Sequence, residues 1–92
     1  MSPTHRVWRS TTFNTPGQFP YVGASMGKTW VTWSAGLSDS ESRVFLAERN
    51  GGTWSGSYLT YGNAAPLAVA GQGGKARVLF RTPNDVFIRT ES

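Results

Sequence analysis

Val44-Phe45-Leu46-Ala47-Glu48-Arg49-Asn50-Gly51-Gly52-Thr53-Trp54-Ser55 is the stretch whose reading decides the fold. Ser38-Asp39-Ser40-Glu41 ahead of it offers the chain's least unlikely helix start, but the apolar run meets Asn50-Gly51-Gly52 before three turns could form. Strand is the better reading, with a Gly-Gly turn and Trp54 opening the next segment. Outward from here the same grammar repeats. Short β-forming runs at 6–13, 21–25, 29–35, 43–49, 57–61, 66–70, 76–81 and 86–90 alternate with breakers such as Met26-Gly27, Gly62-Asn63, Gly71 to Gly74, and Pro83-Asn84-Asp85. Eight short strands at close spacing predict an all-β sandwich, barrel or propeller.

The composition agrees and narrows the chemistry. Ninety-two residues make one small domain, 38% hydrophobic and only 15% charged, with eleven Gly, five Pro and four Trp. No apolar run approaches the ~20 residues of a membrane-spanning helix. No apolar leader segment follows Met1, so cellular location is left open between the cytoplasm and a recombinant fragment. Without cysteine there is no disulfide framework, thiolate metal site or Cys nucleophile. His5 is the single histidine, which argues against a multi-His metal centre, and no cofactor is expected. The formal charge of +4 comes from cations spread along the chain, seven of nine being Arg. Scattered Arg solubilises a β protein; a polyanion partner would need a continuous groove.

Compared with itself, the chain shows two halves. At an offset of 46, Trp8 falls on Trp54, Pro20 on Pro66, Ala24 on Ala70 and Gly27 on Gly73. At 47, Lys28 meets Lys75, Val31 meets Val78 and Trp33 meets Phe80. At 42, Val44-Phe45-Leu46 meets Val86-Phe87-Ile88. One unit therefore runs from about 20 to 63. The second runs from about 66 to 92 and is completed by an N-terminal strand at about 6–13, from this copy or another. Four-stranded units of this length, closed by the first strand, are what a β-propeller looks like. Two blades leave faces exposed, and a head-to-tail contact between copies closes them into a ring. The expectation is two four-stranded antiparallel blades per chain and a six-bladed propeller formed by a homotrimer, with a tetramer of eight blades as the variant.

The stretch from Val44 to Ser55 resembles the Asp-box hairpin of sialidase-like β-propellers. In that resemblance Asn50 stands for the capping Asp, Gly51 or Gly52 for the glycine, and Thr53-Trp54 for the end of the motif; Ala47 replaces a Ser and the turn is a residue shorter. Arg77-Val78-Leu79-Phe80, Glu48-Arg49 and Gly51-Gly52-Thr53-Trp54 are also similar to pieces of the two-blade fucose-binding lectins, which trimerise into six-bladed rings. The resemblance implies a self-assembling, lectin-like module. Trp8, Asn50, Gly51 and Trp54 would serve its turns and packing.

An enzymatic reading finds little support. Asp39, Glu41, Glu48, Asp85 and Glu91 fall mostly in or beside turns, with no acid–base motif behind them. Gly71-Gln72-Gly73-Gly74-Lys75 lies between strands and lacks P-loop spacing, so it reads as a hairpin turn. Saccharide binding asks for an aromatic plane plus hydroxyl-gripping polar groups. Trp30, Glu48, Arg49 and Arg77 are the candidates for it, each with a packing alternative: Trp30 in the core, Glu48 and Arg49 in a cross-strand ion pair. Trp33, aligned with Phe80, is the expected core tryptophan. Two further readings stay open: a ligandless assembling fragment or designed scaffold, and a polyanion binder using a ring of Arg77, Arg81 and Arg89. Nucleic acid is the less favoured partner, since no motif backs it.

Overall fold

The computed structural model describes residues 10–13, 17–38, 41–60 and 62–91. Within them the chain is all-β, in seven strands: β1 (Gln18–Ser25), β2 (Lys28–Ser38), β3 (Glu41–Asn50), β4 (Thr53–Tyr58), β5 (Ala65–Gln72), β6 (Lys75–Arg81) and β7 (Val86–Thr90). They form two antiparallel sheets in simple meander order, β1-β2-β3-β4 and β5-β6-β7. The stretch at 38–48, weighed above as a helix start, is strand from Glu41 onward.

Three hairpins are closed by two-residue turns with both residues at positive φ: Met26-Gly27 (54° and 78°), Gly51-Gly52 (63° and 95°) and Gly73-Gly74 (60° and 75°). That is the type I′ turn, whose twist matches the flanking strands. Gly fills five of the six places without steric cost; Met26 is the exception.

The ladders show the repeat directly. Val22 faces Val31 as Val69 faces Val78, and Ser25 faces Lys28 as Gln72 faces Lys75. The offset is therefore 47 throughout the first two strands of each sheet. The offset of 46 at Pro20, Ala24 and Gly27 is corrected: Met26 and Gly27 correspond to Gly73 and Gly74. Both first strands break register at the same point, between Gln18 and Tyr21 and between Pro66 and Ala68. The two bulges are equivalent and leave the offset unchanged, so the match of Pro20 to Pro66 lies one residue out of the structural correspondence, in which Pro66 answers to Phe19. In the third strands, Phe45 faces Trp33 as Phe87 faces Phe80, which preserves the offset of 42. The rings stack in both, at 4.8 Å and 29° for Trp33–Phe45 and 5.6 Å and 24° for Phe80–Phe87.

The sheets meet through their first strands, β1 against β5. A Cβ on Gly23 would stand 3.1 Å from the Val69 carbonyl oxygen. One on Gly71 would stand 2.5 Å from Cζ3 of Trp30 and 2.9 Å from the Ala24 carbonyl oxygen. Between the sheets lies one apolar cluster, with Val44 from the first sheet against Ala64, Val78 and Phe80, and Leu46, Leu59 and Val69 around it. A second cluster, Trp33, Ala35 and Ala47 with Val31, Phe45, Trp54 and Phe13, covers the first sheet's opposite face. Each β-strand sends alternate side chains to opposite faces, so the first sheet has apolar groups on both.

Met26 occupies a left-handed conformation that costs a non-glycine residue roughly 1–2 kcal/mol. Asn-Gly is a preferred type I′ pair, and Met26 is largely exposed. Met26→Asn is expected to raise unfolding stability by about 1 kcal/mol, read from the urea midpoint at unchanged m-value.

Candidate binding surfaces

Trp30 and Glu48 face each other across β2 and β3, and the Trp30 indole Nε1 donates to Glu48 Oε1 at 3.0 Å. Lys28 Nζ stands 3.8 Å from the same oxygen. The indole is fully buried between the sheets, its far edge in the space that Gly71 leaves by having no Cβ. Of the two readings given for Trp30, the structure has the packed one: the ring is fully buried, and the Glu48 carboxylate holds its N–H. Thr32, next on the same face and also fully buried, donates from Oγ1 to the Phe45 carbonyl at 2.8 Å.

Glu48 and Arg49 do not form a clamp. As neighbours on one strand they point to opposite faces, Glu48 toward the second sheet and the exposed Arg49 to the outside, opposite Trp54. Arg77 is exposed on the outer face of the second sheet, in the ladder position that corresponds to Trp30. The structure thus joins Trp30 to Glu48 and places Arg49 and Arg77 on separate outer faces. The envisaged ring of Arg77, Arg81 and Arg89 divides likewise. Arg77 and Arg81 face outward, while Arg89 pairs with Val78 on the inner face and donates from Nη1 to the Leu59 carbonyl.

The hairpin at Asn50-Gly51-Gly52-Thr53 is tighter than an Asp-box turn. Asn50 pairs with Thr53 in the ladder, and only Gly51 and Gly52 form the turn. Trp54 packs its ring edge-on against Phe13, at 5.1 Å and 87°. Trp8 lies outside the described residues, as does most of the expected strand at 6–13. Residues 10–13 carry no strand, and the Phe13 ring lies 5.0 Å from that of Trp33 on the first sheet's outer face.

Two of the open surfaces among the described residues bear on binding. One is a cleft of about 210 Å³ between the sheets, with an apolar floor of Leu46, Leu59 and Val78 and polar walls of Ser57, Arg89 and Glu91. Glu91 is held there by accepting the Ala76 amide at 3.2 Å. The other is a groove of about 330 Å³ on the first sheet's outer face, lined by Phe13, Gly17, Pro20, Val31 and Trp33 among others. Trp33 Nε1, at its base, is buried without a hydrogen-bond partner. Sequence matching pointed to neither surface, because Phe13 and Arg89 belong to no motif. Among the described residues no group of His, Asp or Glu could hold a metal ion.

Compared with protein-family models, with curated proteins and with solved structures, the chain gives no match.

The Trp30–Glu48 bond yields a test of its structural role. Glu48→Gln keeps an acceptor for the indole, whereas Glu48→Ala leaves a buried N–H unpaired at about 1–3 kcal/mol. Urea unfolding is expected to separate the two variants by that order, with Glu48→Gln close to the parent.

Proposed function

We propose that this chain is a non-enzymatic β-propeller module that builds a ring by self-association. The observation that carries the reading is the correspondence of faces. Val78 and Phe80, which pack on the first sheet, match Val31 and Trp33, which lie on that sheet's own outer face. Each sheet therefore presents one kind of face forward and the other backward, as successive blades do. Applying the sheet-to-sheet relation again asks for another sheet on each outer face, a heterologous contact that generates rings when the rotation closes. Three copies would close six blades. The fourth position beside β7, unfilled among the described residues, falls to the N-terminal strand. The expected light-scattering mass is three chains; a monomer at tens of micromolar would reject self-association.

A saccharide reading of the same module is favoured by the cleft between the sheets. Arg89, Glu91 and Ser57 above an apolar floor offer donors and acceptors to hydroxyls and a surface for the apolar face of a sugar ring. A ring of copies would repeat that cleft. Arg89→Ala is expected to abolish glycan-array signal while leaving the oligomeric mass unchanged, and signal that survives the substitution would place any sugar elsewhere.

A further inference from the structure

The geometry points to a second copy of this chain as the occupant of the first sheet's outer face, with Val86 and Ile88 of one copy seated in the groove between Phe13, Pro20, Val31 and Trp33 of the next. This rests on the propeller reading and adds to it the surfaces that meet.

The contact between the two sheets of one chain serves as template. There Val44 is buried, with Leu46 packed beside it, against Val78, Phe80, Leu59 and Ala64. At the offset of 42, Val44 and Leu46 correspond to Val86 and Ile88, which stand 64% and 67% exposed on the outer face of β7. At 47, Val78, Phe80 and Ala64 correspond to Val31, Trp33 and Gly17, which line the groove. Leu59 has its counterpart as well: it packs at the Val78–Phe80 cluster as Phe13 packs on Trp33. So the groove has the walls of the internal contact, and the exposed β7 residues are the side chains that fill those walls inside the chain. The Ala68, Ala70 and Leu79 surface beside Ile88 continues the apolar face that would be covered. Exposed apolar faces of this extent mark interaction sites on soluble proteins.

The template supplies a cross-link. Inside the chain, a Cβ on Gly23 would lie 3.5 Å from the Ala70 Cα and 3.1 Å from the Val69 oxygen. Gly23 and Val69 correspond to Ala70 and Val22, so Ala70 of one copy should approach Val22 of the next. Both are exposed, on outer faces of different sheets, and the chain has no cysteine. Mixing Val22→Cys protein with Ala70→Cys protein under mild oxidation is expected to give a reducible dimer. The doubly substituted chain should give a covalent species of three chains. Ile88→Asp should shift the mass from three chains to one with the far-UV circular dichroism unchanged. Three chains in solution without the cross-link would overturn this docking and leave self-association standing; a monomer would overturn both. A monomer whose Val22→Cys thiol is shielded from alkylation by added monosaccharide would give the face to a ligand and equally overturn the proposal.

Discussion

The buried indole of Trp30 holds the two sheets in their relation. Its N–H is bound by Glu48 within the first sheet, which fixes the ring's position. Its far edge then meets the second sheet where a glycine, Gly71, allows backbone to come within van der Waals reach. A side chain at position 71 would push β5 away from β1 and open the Val44, Val78 and Phe80 core behind it. Burying a large aromatic in this way stabilises by roughly 1.5–3 kcal/mol, a sizeable part of what a small domain has in total. Ser25 adds a polar stitch alongside, its Oγ accepting the Gly74 amide at 3.1 Å. These contacts set how closely the two sheets stand and with it the cleft between them.

Much of the architecture was legible because β-structure writes itself locally. Two-residue turns rich in Gly, and runs of Val, Phe and Trp between them, located the strands that the structure shows. Trp33 matches Phe80 and Phe45 matches Phe87 in the sequence, and the structure stacks the two rings of each sheet in the same place. What stayed hidden was what depends on through-space geometry. The identities at offset 46 (Pro20 with Pro66, Ala24 with Ala70, Gly27 with Gly73) are one residue out of the ladders, so aligned letters misreported the register. The expected strand at 57–61 begins earlier, at Thr53, because the two-residue turn lets β4 pair from its first residue.

The candidate site was harder to read for a related reason. Trp30 corresponds in the ladders to the exposed Arg77, a polar counterpart to a buried ring. The setting is polar at one atom only, the indole N–H, while the rest of the ring is packed. Adjacent letters on a strand also misled: Glu48 and Arg49 look like a pair in the sequence and are divided by the sheet. The exposure of Val86 and Ile88, and the packing of Phe13 on Trp33, acquire a meaning only once the two sheets are laid on each other.

The exchange of Trp30 for Arg77 in corresponding positions carries one more consequence. The contact inside the chain has an indole facing a glycine; the contact between copies would have a guanidinium facing Ala24. A pair of identical halves could join in either phase, because every seam would accept every partner. Here the halves differ at this ladder position: the contact within the chain is shaped for a ring, while the corresponding outer-face positions carry Arg77 and Ala24. In the ring proposed above, that difference would set the seam between copies apart from the seam within one.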